Sequence, residues 1–175
     1  MKPVYRIDEV LPHAGPMLLL DELLDVGAEH ICCGVNVRRE TQFCDGANGV
    51  PSWVGLEYMA QTMCAFSGVE EVQAGGKPTI ALLLGSRRYQ CETPWFALGS
   101  RLLIRAELQL RDENDLVAFH CSIHESGHLL ARGDVKAYRP RDVMSVIRGE
   151  RAGGPGGDGP REDRPREDRP GTGGR

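Results

Sequence analysis

No stretch of this sequence approaches the roughly 18 apolar residues that a membrane-spanning helix needs. Apolar runs such as Met17–Leu20 and Ile80–Leu84 are cut off at once by Asp21 and Gly85. There is no long basic run either, and the formal net charge is −4, so the positive footprint of a nucleic-acid binder is missing. The first residues, Met1–Asp8, lack the apolar core of a secretory signal, and a cytoplasmic protein is expected. None of the six cysteines, at 32, 33, 44, 64, 91 and 121, belongs to a C-x-x-C pair. Cys32 and Cys33 would point to opposite faces of a strand. Reduced thiols that pack as small apolar side chains are expected, with no zinc site and no disulfide framework.

What is present is one domain's worth of chain: 175 residues, 41% of them hydrophobic. Residues 1–142 carry the globular pattern, and 143–175 change character. Gly149–Arg175 is almost entirely Gly, Pro, Arg, Glu and Asp, and Pro160–Arg164 is repeated at once as Pro165–Arg169. Its six basic and six acidic residues cancel. Without apolar side chains it cannot offset the backbone entropy of folding, about 1–2 kcal/mol per residue, so a disordered tail is expected.

Within the globular region a single helix stands among strands. Ile7–Leu11 allows a short helical turn before Pro12, and Met17–Val26 fits a strand or an extended lead-in. Glu29–Arg39 alternates, with Ile31, Cys33, Val35 and Val37 on one face. After the Gly- and Asn-containing loop Phe43–Pro51, Ser52–Glu71 predicts a helix. Trp53, Leu56, Met59, Ala60, Met63, Cys64 and Phe66 recur at threes and fours, and Val54, Ala65 and Val69 widen the stripe until the helix must be largely buried. Strands are expected over Thr79–Cys91, Arg101–Arg111, Val117–Ile123 and Leu129–Ala137, with turns at Asp112–Asp115 and Ser126–Gly127. The order predicts an α+β domain whose antiparallel sheet wraps one long helix.

Glu57 is the residue that breaks this helix's pattern. A carboxylate on an apolar helix is costly to bury unpaired. It pairs with a cation such as Arg87 or Arg88, faces out, or does chemistry. The start of the helix also offers free N–H groups and a dipole that can hold a developing oxyanion.

Three segments, Leu11–Asp21, Gly49–Gln61 and Leu83–Cys91, bear a resemblance to known proteins. The first two resemble the 3-hydroxyacyl-acyl-carrier-protein dehydratases of fatty acid synthesis. That family opens with Leu-Pro-His and an apolar run ending in Asp, and carries Glu-Ala-Met-Ala-Gln on its helix; here the helix reads Glu57-Tyr-Met-Ala-Gln61. All three together look more like the dehydratase-like proteins of aryl polyene clusters, over roughly residues 5–138. The resemblance implies a hot-dog fold, a dimer, and dehydration of 3-hydroxyacyl thioesters presented on the phosphopantetheine of an acyl carrier protein. It implies no metal and no other cofactor. It makes Glu57 the catalytic acid or base, and places the thioester carbonyl near Pro51–Trp53, with Ser52 as donor. Trp53 would line an acyl tunnel, and Gly55 would let the substrate or a neighbouring strand approach.

One departure matters. The family's catalytic histidine lies in a Gly-His-Phe-Pro loop just before the helix, and Phe43–Gly49 contains no histidine. Dehydration needs both a base for the C2 proton and an acid for the leaving hydroxyl. Three resolutions follow: His13 supplies the base, a second hot-dog subunit supplies a histidine, or Asp45 or Glu57 activates water in a thioesterase. The second is preferred here, and a non-catalytic subunit supporting an active partner is a further alternative.

Other features read as ordinary surface. His120, His124 and His128 are spaced as on a helix face, but the segment alternates as a strand, with Val117, Phe119, Cys121 and Ile123 inward. His30 is expected to be exposed. Arg87 and Arg88 either pair with surface carboxylates or meet a phosphopantetheine phosphate or an acidic carrier protein. Trp53 and Trp95 read as core or interface anchors.

Overall fold

The computed structural model describes residues 5–113 and 116–139. The expected tail and the boundary near residue 142 lie outside them. The strands are β1 (Glu22–Val26), β2 (His30–Asn36), β3 (Gly49–Pro51), β4 (Leu82–Cys91), β5 (Trp95–Ala97), β6 (Arg101–Arg111), β7 (Leu116–Glu125) and β8 (His128–Tyr138). The helix α1 (Gly55–Gln73) lies between β3 and β4. Six strands form an antiparallel sheet in the order β1-β2-β6-β7-β8-β4, and β3 pairs with β5 separately.

Register explains the core. Cys33 sits opposite Ile104, Ile104 opposite Ile123, and Ile123 opposite Ala131. Because side chains alternate faces along each strand, these rows share one face, and all four residues are fully buried. Ile31, Val35, Val37, Phe119 and Cys121 join them. The sheet closes this face onto α1, whose Met59, Ala65, Phe66 and Val69 are buried. The expected α+β wrap is what forms.

The helical region begins with a 3-10 turn, Ser52–Val54, and only then becomes α1. At its far end Gly75 takes φ +79 and donates its N–H to Val72 O, while Gly76 donates to Glu71 O. A left-handed glycine satisfies carbonyls that the last turn leaves open. Trp53 departs from expectation. It is 63% exposed, edge-on against exposed Phe43 at 5.7 Å, because the 3-10 turn buries its neighbours Ser52 and Val54 and points Trp53 the other way. Met17–Val26, expected as a strand or an extended lead-in, does run from a 3-10 turn at Gly15–Met17 into β1. The strands β3 and β5 were not expected at all. Three residues each, they exist only because they pair with one another.

The edge strand β4 is unusual. Its Leu83 and Leu84 are 43% and 59% exposed, as is Ile80 just ahead of it at 52%, and its ladder with β8 is interrupted twice. Arg88 sits at one interruption with φ +58, a left-handed value that a non-glycine residue adopts at a cost.

Candidate active site

The first turns of α1 and the segment before β1 build the site together. Gln61 is fully buried and uses its whole amide. Its Oε1 accepts the Leu19 N–H at 2.9 Å, and its Nε2 donates to Met17 O at 2.8 Å and to Glu57 Oε1 at 3.0 Å. Positions 57 and 61 are one helical turn apart, so the amide orients the carboxylate from directly below. It also ties the 17–19 segment to α1. Neither Arg87 nor Arg88 reaches Glu57, and among the described residues neither makes an ion pair, so the surface pairing expected of them is not what forms. The helix motif alone assigns Gln61 no role. The signal available was a polar residue four positions from a carboxylate on an otherwise apolar helix.

Glu57 and His13 line one cavity of about 90 Å³, with Gln61 beside them. Both are half-buried. The His13 Nδ1 is buried and has no hydrogen-bond partner. An unsatisfied buried ring nitrogen is costly. It leaves His13 with a proton-exchanging atom that the fold does not employ. Cys64 lines the same cavity, and burial pushes its thiol up to about 11. It stays protonated near neutrality and is a poor nucleophile.

The start of the helical region corrects one expectation. The Ser52 N–H is donated to Pro94 O at 3.0 Å, so it is not a free donor for a thioester oxygen. The Ser52 carbonyl in turn accepts the Tyr89 hydroxyl. Gly55 is packed by neighbouring strands, not left open to a substrate. A Cβ there would meet Tyr89 Oη at 2.4 Å and both Ile123 Cδ1 and Phe96 Cζ at 2.9 Å. Trp53 faces outward, away from this packing.

The loop that lacks a histidine is organised by Asp45. Its Oδ1 accepts the N–H groups of Ala47, Asn48 and Gly49 at 2.9, 2.7 and 3.1 Å, and its Oδ2 accepts Asn48 Nδ2 at 2.7 Å. The Asn48 side-chain amide, helped by the backbone N–H groups, holds the Asp45 carboxyl down at about 2. So weak a base is ill-suited to activating water near neutral pH. Because the folded value lies below the ordinary one, the loop's stabilisation is complete above the ordinary carboxylate range and is lost as pH falls through about 2. Amide-exchange protection at Ala47, Asn48 and Gly49 should therefore weaken as pH drops from about 4 towards 2. In Asp45→Ala it should be weak at every pH. Protection independent of pH would show that other groups hold the loop.

Two of the other histidines meet carboxylates. His30 Nε2 lies 2.9 Å from Asp25 Oδ2, and His120 Nδ1 2.9 Å from Asp134 Oδ1. His30 is thus half-buried and paired rather than simply exposed. Among the described residues no three His, Cys, Asp or Glu side chains gather as a metal site. No helix among them is long and apolar enough to cross a membrane.

A sheet wrapped around one buried helix, with a carboxylate held on that helix inside a cavity, defines a hot-dog protein of the dehydratase type. The comparisons make this particular: residues 5–148 match the family described as ApeP-like, ApeP dehydratase, and the chain belongs to that family. A chain of the dehydratase heterocomplex ApeI:P from Xenorhabdus doucetiae is 31% identical, with a TM-score of 0.77 over 85% of this chain and 99% of that one. The 3-hydroxyacyl-[acyl-carrier-protein] dehydratase FabZ of Allorhizobium ampelinum is 26% identical over 77% of this chain and 87% of its own length. The protein Cj0977 of Campylobacter jejuni, 12% identical with a TM-score of 0.55, covers 78% of this chain and 88% of its own, and shares the fold alone.

Proposed function

We propose that this chain dehydrates 3-hydroxyacyl groups carried on an acyl carrier protein, with Glu57 as proton donor to the leaving hydroxyl. The observation that carries this reading is Glu57 itself, held by Gln61 in the cavity it shares with His13. A base removes the C2 proton and the C2–H electron pair forms the C2=C3 double bond. The C3–O bond breaks as Glu57 protonates the departing oxygen, and water leaves. The proton on the base then returns to Glu57 for the next cycle. No other co-reactant is needed.

The base comes from a second hot-dog subunit in this reading. Two observations support a partner. The edge strand β4 carries uncovered Leu83 and Leu84, and Leu83 also lines the Glu57 cavity. A subunit covering β4 would therefore lie against the cavity and could add a histidine to it. The similarity to a chain of a dehydratase heterocomplex points the same way. His13 is the second candidate, favoured by its unpartnered Nδ1 in the same cavity.

Intact mass spectrometry of a 3-hydroxyacyl carrier protein tests the reading. Loss of one water with the purified chain alone would make His13 the base, and His13→Ala should then abolish it. Loss of water only after a histidine-bearing hot-dog subunit is added would support the two-chain site. Release of free acid and carrier thiol would replace dehydration with thioester hydrolysis.

A further inference from the structure

The lining of the cavity extends along α1 to a feature the reaction does not use. Glu57, Ala60, Gln61, Cys64 and Ser67 all line it from α1. From position 57 to 67 a helix rises about 15 Å, so the cavity is a narrow slot running along the helix. Glu57 marks one end, and His13 lines the cavity from the segment that runs beside α1 between Val10, packed on Gly68, and Met17, bonded to Gln61. Ala81, Leu83, Val117 and Ala137 form an apolar wall, and Arg139 also lines the slot.

Arg139 sits at the other end, because its Nη1 lies 3.2 Å from Glu71 Oε1, one turn beyond Ser67. The pair is largely withdrawn from water, with side chains 28% and 17% exposed. Glu71 is also anchored independently of Arg139. Its Oε2 accepts the Thr79 N–H at 2.8 Å and its Oε1 the Thr79 hydroxyl at 2.6 Å, which holds the chain leading to Ala81. One ion pair thus joins the end of α1, the approach to β4 and the end of β8.

Resting on the proposed reaction, we infer that Arg139 is a specificity-determining residue, closing the slot and setting the longest acyl chain it accepts. The slot takes a single unbranched chain, threaded from the catalytic end. Methylenes gain from burial until the terminal carbon reaches the guanidinium. Beyond that point a further methylene must displace a charged, hydrogen-bonded group.

Saturated acyl-pantetheine thioesters of increasing length, which have no hydroxyl to eliminate, test this by equilibrium binding to the full chain. Affinity should rise about fourfold per methylene and then break. In Arg139→Ala the break should move to longer chains. In Ser67→Leu, which fills the slot one turn earlier, it should move to shorter ones. A role confined to stability would lower the melting temperature and leave the break in place. If Arg139→Ala does not fold, the Ser67→Leu shift decides. An unmoved break, or no binding of any member by the unaltered chain, overturns the inference. Dehydration of the hydroxyacyl carrier protein is measured separately. Dehydration with an unmoved break sinks only the role of Arg139, and a moved break without dehydration sinks only the reaction.

Discussion

Replacing Glu57 by Gln is expected to reduce dehydration by about 10²–10⁴-fold, the usual contribution of a positioned general acid or base. The fold should barely notice. Glu57 is half-buried, and its hydrogen bond comes from a neutral amide, Gln61 Nε2, which a glutamine oxygen can accept equally well. The shape of the side chain is kept and only its capacity to exchange a proton is lost. Steady-state turnover on a 3-hydroxyacyl carrier protein, with melting temperature alongside, checks this in whatever assembly proves active. A drop in turnover with unchanged stability assigns the chemistry to Glu57. Unchanged turnover would mean that this chain only supports an active partner.

The second large effect concerns stability, and two contributions of opposite sign compete in it. Gly68 lies inside α1, where helix propensity alone favours alanine by about 1 kcal/mol. Packing reverses the sign. A Cβ at Gly68 would lie 1.9 Å from the Val10 carbonyl oxygen and 2.8 Å from its carbon. These are backbone atoms of a fully buried residue, which cannot rotate aside as a flexible side chain would. Gly68→Ala should therefore cost about 3 kcal/mol or more, at the upper end of overpacking. A denaturant titration reads it directly. The segment Val10–His13 must move if α1 stays in place, so His13 should also leave the Glu57 cavity. A neutral or stabilising result would mean that the N-terminal segment does not pack on α1 as described.

Legibility was uneven, and for reasons that differ by element. The strands β6, β7 and β8 and the buried inner row of β2 were visible as two-residue alternation, because each buries one face and exposes the other. The strands β3 and β5 were invisible, since three residues carry no periodicity and each is made only by its partner. Trp53 was misplaced onto the buried stripe because apolar spacing cannot reveal that the first turn is 3-10, which buries Ser52 and Val54 and turns Trp53 outward. Glu57 and His13 were both picked out along the chain, yet only the fold puts positions 13 and 57 around one cavity. Ser52 failed as a free donor because its N–H meets Pro94 O, a pairing 42 residues distant that no local pattern encodes.

By itself the sequence determined the α+β class, the long buried helix and the carboxylate upon it. Periodicity and the cost of burying charge are local rules, and they operate before any tertiary contact forms. Only the tertiary structure decided how Gln61 aims Glu57, which donors are already spent, and that Arg139 meets Glu71 at the end of the slot. Those are pairings between residues far apart in the chain, and their geometry exists only once the sheet has closed around the helix.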